Sequence, residues 1–200
     1  MIEQVKVLLN QFAPEIVESL LPPATPQQIE ELRSVVGRLI PDDLVALYSQ
    51  TAGNNPECFA NFAYGLVFTD IESAINKFKD DPGSEPLQFA DPGIKKNGFA
   101  PGSRFEIGND SAHSSICVDL DPDSSGTYGQ VVFVDLEMNV ALLLAKSIRE
   151  YIEKFEKQLS EGMYSLQEDA LADGVQWLDP ERSIDVNSWY NSPTWKYVGI

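Results

Sequence analysis

The sequence predicts an α+β protein in which helices pack against one β-sheet. Apolar residues recur at helical spacing over the first fifth of the chain. Short β-rich runs separated by turn residues follow between Arg104 and Leu144, and another helical pattern begins at Ser147. Helices first, strands next and a helix last is an order typical of the α+β class.

The N-terminal segment predicts a helix that is interrupted at Pro14. Its apolar stripe has the spacing of one helix face, and the helical pattern resumes over residues 16–21 before Pro22 and Pro23 break it. The stripe consists of Ile2, Val5, Leu8, Leu9 and Phe12.

Two further helices are predicted from their start and stop signals. Thr25 can be an N-cap, with Pro26 at the first helical position and Gln28 completing a capping box. Gly37 is expected to end this helix. The next helix is predicted to begin at Pro41-Asp42-Asp43, with two carboxylates at the positive end of its dipole, and to stop at Gly53.

The middle of the chain predicts one strand, one short helix and a long connection. Residues 64–69 have a strand pattern, and Asp70 caps a helix with an apolar face. Residues 80–103 contain four prolines and four glycines, so they are predicted to be irregular. Connections of this length are uncommon without a role, which makes this one a candidate binding loop.

An antiparallel meander is predicted after that connection. Four β-rich runs alternate with turn residues, and a second capping box, Ser147 to Glu150, opens a helix behind them. The runs are Arg104 to Gly108, Ser115 to Leu120, Gln130 to Asp135 and Val140 to Leu144.

The last forty residues form an acidic, aromatic-rich tail. Seven carboxylates lie between Glu161 and Asp185, and six tyrosines and tryptophans follow Glu161. So many aromatic residues imply that the tail docks on the rest of the protein. We therefore divide the chain into a domain over residues 1–165 and an extension over residues 166–200 that packs on it.

The net charge narrows the class of partner. Fourteen Lys and Arg against 31 Asp and Glu give −17 at pH 7. A general nucleic-acid binder must neutralise phosphates with cations, and an anionic membrane repels acidic proteins, so both classes are disfavoured. Acidic proteins are steered towards basic partners. No apolar run approaches the roughly 18 residues of a membrane span.

The start of the chain and the cysteines predict a cytoplasmic protein. Met1-Ile2-Glu3 begins no basic and then apolar signal segment. Cys58 and Cys117 are therefore expected to be reduced thiols. With His113 they make only three Cys or His side chains, one fewer than a structural zinc site of that type needs.

One local motif resembles the start of a calcium loop. Asp119, Asp121 and Asp123 occupy the first, third and fifth positions, but Ser124 replaces the required glycine and Gln130 the bidentate glutamate. A polar turn between two strands is the favoured interpretation over a metal site.

Catalytic patterns are weak in this sequence. His113 lies between serines and Asp110, but no Gly-x-Ser-x-Gly elbow presents a nucleophile, so a turn histidine is favoured. Cys117 is expected to be a buried hydrophobe. No glycine-rich nucleotide loop is present. A carboxylate pair for glycoside hydrolysis is not excluded. The chain has 31 acids, however, so many such pairs are possible and no single pair indicates this activity. We predict no catalytic residue and no cofactor.

The distribution of charge along the chain indicates function more specifically than the catalytic patterns do. No Lys or Arg occurs from Phe105 to Ala145, whereas acids cluster in the turns of the meander. Such turns can attract a basic partner, although ordinary solvated loop ends explain them equally well. The candidate partner-binding residues are Asp110, Asp119, Asp121, Asp123, Asp135 and Glu137.

The order of several motifs resembles the Smi/Knr family of the SUKH superfamily over roughly residues 20 to 165. The segments that carry this likeness are Leu21 to Leu32, Ile40-Pro41-Asp42-Asp43-Leu44, Gly53-Asn54, Phe105 to Asp110, Ser115 to Pro122, Gly129 to Val132 and Ala145 to Ile152. The resemblance implies a mixed, mainly antiparallel sheet packed by helices. It also implies a non-enzymatic protein-interaction module. Many bacterial members are immunity proteins that neutralise toxin domains, often nucleases, and fungal members regulate cell-wall synthesis.

Charge and resemblance together predict an immunity protein that binds a basic, nuclease-type toxin domain. The alternative is a regulatory scaffold for an endogenous partner, in which Trp177, Trp189 and Trp195 could be anchors. For these tryptophans, simple packing on the sheet is the competing interpretation. A hydrolase is the third hypothesis, and no assembled nucleophile and base support it.

Overall fold

The computed structural model describes residues 1–37 and 39–199, and it confirms the α+β class. The helices are α1 (Glu3–Leu9), α2 (Pro14–Glu18), α3 (Pro26–Val36), α4 (Asp42–Tyr48), α5 (Ile71–Asp80), α6 (Ile148–Ser160) and α7 (Glu168–Ala172). The strands are β1 (Val67–Phe68), β2 (Phe89–Ala90), β3 (Arg104–Asn109), β4 (Ser114–Asp119), β5 (Val131–Asp135), β6 (Val140–Ala145), β7 (Tyr164–Leu166) and β8 (Leu178–Pro180).

The main sheet has six strands in the order β1-β3-β4-β5-β6-β2. Strands β3 to β6 form the predicted meander, and β1 adds to it antiparallel. Among the strands of the described residues, β2 alone is parallel to its neighbour, which is β6. The mixed, mainly antiparallel sheet implied by the family resemblance is therefore confirmed.

Both faces of this sheet are covered. Phe105, Ile116 and Phe133 point to the face that packs against the helices, where the main core lies. The connection between α5 and β3, residues 81–103, covers the other face. This cover explains why β4 and β5 are buried along their whole length. The smaller core under the connection contains Leu87, Ile94, Phe99, Cys117, Val132, Val134 and Ala141.

The predicted N-caps of α3 and α6 are confirmed. The Thr25 hydroxyl accepts from the Gln28 N–H at 3.2 Å, and the Gln28 side chain accepts from the Thr25 N–H at 2.8 Å. Ser147 caps α6 by accepting from the Glu150 N–H, but the Glu150 carboxylate bonds the N–H of Lys146 instead of closing the box.

Several predicted boundaries were wrong. The strand predicted over 64–69 contains only Val67 and Phe68, because a 3₁₀ turn occupies Ala63–Gly65 and Tyr64 has φ of 60°. Helix α4 ends at Tyr48 instead of continuing to Gly53. The predicted helical pattern over 16–21 is the shorter helix α2.

The tail contributes to the same core as the rest of the chain. Its β7–β8 ribbon forms a separate two-stranded sheet, tied to Asn61, whose side chain bonds the N–H and C=O of Leu178 at 2.8 Å each. Trp189 and Trp195 are buried in the main core. These contacts join Leu178, Trp189 and Trp195 to the rest of the protein, while the division into a domain over 1–165 and a packed extension over 166–200 stays a prediction.

None of the helices within residues 1–37 and 39–199 combines the length and apolar composition that a membrane span requires.

Candidate partner-binding surface

The six candidate residues lie at two opposite ends of the meander. The turn 120–130 between β4 and β5 forms one end, which we call the long-turn end. The turns 110–113 and 136–139 lie side by side at the other, which we call the hairpin end, because the Leu136 N–H bonds the His113 carbonyl at 3.0 Å. A strand of six residues, about 20 Å, separates the two ends, so they form no single acidic region.

Asp119 is buried at the long-turn end and holds the turn together. One carboxylate oxygen accepts from the Asp121 N–H at 3.0 Å and the other from the Gln130 side chain at 2.9 Å. Gln130 also donates to the Gly93 carbonyl, so it joins the turn to the 81–103 connection. Burial raises the pKa of the Asp119 carboxyl, while these hydrogen bonds act in the opposite direction. Asp119 is 1% exposed and has a structural position.

The other two acids of this end are exposed. Asp121 forms an ion pair with Lys95, whose Nζ lies 2.5 Å from the carboxylate, and Asp123 accepts from the Ser124 N–H at 2.7 Å. Lys95 belongs to the connection, so the fold supplies a cation that the meander sequence lacks.

Asp135 is buried at the hairpin end and anchors the tail. One oxygen accepts from the N–H groups of Glu137 and Met138 at 3.0 and 2.9 Å, which shapes the β5–β6 turn. The other accepts from the indole N–H of Trp189 at 3.0 Å. Like Asp119, this candidate residue is occupied by contacts within the chain.

Asp110 and Glu137 are the accessible acids of the hairpin end. Asp110 is half-buried and accepts from the N–H groups of Ala112 and Ser114, which fixes the β3–β4 turn. Glu137 is exposed, and its carboxylate lies 3.8 Å from Nε2 of the exposed His113. Four of the six candidates can therefore meet a partner, two at each end.

A groove of about 340 Å³ opens beside the hairpin end. The 54–60 segment, the corner between β1 and α5, the β3–β4 turn and Trp177 of the tail line it. Phe59 on its rim is 83% exposed, and Trp177 is half-buried. Sequence reasoning noted Trp177 but missed Phe59, although Gly53-Asn54 just before it is one of the family-like motifs.

A network of side-chain hydrogen bonds lies between the groove and the sheet. The Glu106 carboxylate accepts from Lys77 at 2.5 Å, Thr69 at 3.1 Å and Asn109 at 3.0 Å. Asn109 also donates to the Thr69 hydroxyl at 2.9 Å. Because these groups hold each other, the polar wall of the groove has a fixed shape.

The hydrolase hypothesis receives no support from the cysteines or His113. Burial raises the pKa of the Cys117 thiol to about 12, so this thiol is protonated at neutral pH. Cys58 is a free, exposed thiol. In the part of the chain that the structure describes, no three His, Cys, Asp or Glu side chains are grouped to hold a metal ion. The described residues instead form a groove and carry exposed acids at both ends of the meander.

Comparison with known proteins identifies the family. A comparison with curated proteins gives no significant match. The model of the SMI1/KNR4 family (SUKH-1) matches residues 23–154, which is more than half of the chain and includes the whole meander and the first half of α6. The match ends before the tail that supplies Trp177 and Trp189. This chain belongs to the SMI1/KNR4 family (SUKH-1).

Proposed function

We propose that this protein is a non-enzymatic, cytoplasmic immunity protein that binds and neutralises a basic, nuclease-type toxin domain. The observation that carries the proposal is its charge, −17 overall, with accessible acids on turns that contain no Lys or Arg of their own. A nuclease domain needs cations to hold phosphates, so the two surfaces attract each other. The family is compatible with immunity or regulatory roles through protein interactions.

Neutralisation by binding explains the weakness of the catalytic patterns. An inhibitor needs only to reach its target quickly and cover its active site, and charge steering speeds association by orders of magnitude. The free thiols of Cys58 and Cys117 agree with a reducing compartment.

The second candidate function is a regulatory scaffold. Trp189 and Trp195 are buried, which leaves Trp177 as the accessible tryptophan of the three. Half-buried in a groove next to exposed Phe59, Trp177 has the surroundings of an anchor for a protein partner.

A pull-down with the tagged full-length chain from native lysate at low salt tests the proposal. We expect a one-to-one complex with a basic toxin domain, identified by mass spectrometry and released by a salt gradient. Co-expression should then protect cells from that toxin. A dominant partner that is a housekeeping or wall-synthesis protein would replace immunity by the scaffold function. Binding that salt does not weaken would remove the electrostatic argument.

A further inference from the structure

The groove beside the hairpin end has two aromatic side chains along it, Phe59 and Trp177. Phe59 is the most exposed of the large apolar side chains in the described chain. Trp177 lines the same groove from the tail. Aromatic residues are enriched at protein interfaces, where they act as anchors in pockets.

The wall of the groove is organised before any partner arrives. Asn54 accepts from the Phe68 N–H at 2.8 Å and donates its side-chain amide to Ser19 at 2.8 Å. The Thr69 carbonyl accepts from the hydroxyl of buried Tyr48 at 3.0 Å. Side chains that are already fixed lose little freedom on binding, which favours affinity.

Among the described residues, the charge around the groove is negative, and its acids form no ion pair with a cation. Asp70 lines it, Glu57 belongs to the 54–60 segment, and Asp110 lies between two residues that line it. Lys77 is the cation among the lining residues, and Glu106 neutralises it. Asp70 caps α5 and Asp110 holds the β3–β4 turn through hydrogen bonds to one carboxylate oxygen each, so the second oxygen of each can accept from a basic segment.

The long-turn end has a different combination. Its exposed Leu39 and Tyr128 line an open surface that also includes exposed Asp42. Two other acids of this end already have a cation beside them, because Lys95 pairs with Asp121 and Arg149 pairs with Asp43. A second copy of this chain is a poor occupant for either end, because two proteins with a charge of −17 repel each other.

We propose that the groove between Phe59, Trp177 and the β3–β4 turn is the docking site for a basic loop of the partner protein. An apolar side chain of the loop packs between Phe59 and Trp177, and flanking Lys or Arg side chains pair with Asp70 and Asp110. This inference rests on the proposed function, since it names the surface that the basic partner uses. Trp177 lies outside the span of the family match, so this chain adds its own side chain to the site.

Chemical-shift mapping with a defined peptide tests the location directly. The probe is acetyl-Gly-Lys-Arg-Leu-Arg-Lys-Gly-amide, and acetyl-Gly-Glu-Asp-Leu-Asp-Glu-Gly-amide is the matched control. Titration into the ¹⁵N-labelled full chain should shift the amide signals of residues 54, 55, 57–60, 69–73 and 109–111 and the Trp177 indole. Shifts centred on residues 119–130, or spread evenly over all acidic segments, would overturn the inference.

Two exposed apolar residues provide matched variants. Phe59→Ala should weaken binding of the basic peptide about tenfold without changing the urea midpoint of unfolding, since the side chain is 83% exposed. Leu39→Ala, at 74% exposed, removes a similar side chain from the long-turn end and should leave binding unchanged. Equal effects of the two variants, or a loss only with Leu39→Ala, would overturn the inference.

Cys58 allows a test with the natural partner. It is exposed and lines the groove, whereas Cys117 is buried. A bulky maleimide on Cys58 should block the complex found in the pull-down. The same label on Ser124→Cys in a Cys58→Ser background should not. A complex that forms normally with blocked Cys58 would refute the groove while leaving the proposed function intact. A pull-down without any basic partner would refute the proposed function, and the peptide map would still decide the groove.

Discussion

The two ends of the meander have similar acidic turns but different neighbours. At the long-turn end, buried Asp119 bonds Gln130, and the 81–103 connection supplies Lys95 to Asp121. At the hairpin end, buried Asp135 bonds Trp189 of the tail, and the adjacent groove keeps its acids without such compensation. Each end therefore contacts a segment that is distant in sequence, the connection at one end and the tail at the other. These segments determine how many of the acids at each end lack a neighbouring cation.

This difference separates two uses of a carboxylate. A buried aspartate that accepts several hydrogen bonds fixes a turn or a docked segment, because removing it leaves buried donors unpaired. An exposed one in a turn is free to attract a partner. The sequence pattern is the same for both, and only the tertiary neighbours distinguish Asp135 from Glu137.

The largest expected effect is on the anchor of the hairpin end. Asp135→Ala leaves the Trp189 indole and two backbone N–H groups without their acceptor, so the free energy of unfolding should fall by about 3 kcal/mol. Urea denaturation followed by circular dichroism measures it. The control Glu137→Gln, two residues away and exposed, should change stability by no more than about 0.5 kcal/mol. If both variants unfold at the same urea concentration, the tail is not held through Asp135.

A smaller effect is expected from removing the cation of the long-turn end. Lys95→Gln leaves Asp121 unpaired, but both side chains are partly exposed, so stability should change by less than about 0.5 kcal/mol. The groove is about 20 Å away, beyond the screening length of about 8 Å at physiological salt. The association rate with the basic peptide, measured by stopped flow at that salt, should therefore stay within about twofold of wild type. An increase of several fold would show that the long-turn end takes part in binding.

The third effect appears only above pH 10 and concerns the contact between the two supporting segments. The Tyr197 hydroxyl of the tail donates to Asp91 of the connection at 3.2 Å. Partial burial, and then the negative charge of Asp91, raise the pKa of Tyr197 to about 12, against about 10 for an unfolded tyrosine. Between pH 10 and 12 the unfolded chain therefore loses this proton first, so the folded state loses stability as the pH rises.

Tyr197→Phe removes this particular loss. We expect the urea midpoint of the wild type to fall more steeply than that of Tyr197→Phe between pH 10 and 12, with a constant difference below pH 10. Tyr190→Phe, an exposed tyrosine of the same tail, is the control and should follow the wild type. Parallel profiles for all three proteins would mean that the Tyr197 hydroxyl does not couple the tail to the connection.

Sequence reasoning was most successful where the determinants are local. The caps at Thr25 and Ser147 depend on residues within one helical turn. Both N-caps were predicted correctly, although the capping box predicted at Ser147 does not close. Strand β2 was not predicted, because two residues have no periodicity and their pairing with β6 arises from tertiary register. The predicted strand begins at Val67 instead of Tyr64, because Tyr64 has a positive φ that the sequence does not indicate.

The candidate site also depends on tertiary contacts that the sequence does not reveal. The charge of the meander turns is visible in the sequence, but burial is not. Asp119 is hidden because Gln130 and Gly93 close over it, and Lys95 reaches Asp121 from outside the stretch that lacks cations. The groove could not be predicted either, because Phe59 and Trp177 come together from positions more than a hundred residues apart.

Asn54 has a consequence for the way in which any protein can approach the groove. Its backbone N–H bonds the Phe68 carbonyl at 2.9 Å and its side chain accepts from the Phe68 N–H, so one residue takes the place of a neighbouring strand along β1. An open sheet edge is a template for strand addition and aggregation. Here Asn54 occupies that edge at Phe68, so the exposed aromatic rim lies beside a strand whose backbone N–H and C=O at this residue are already bonded and cannot pair with an added strand.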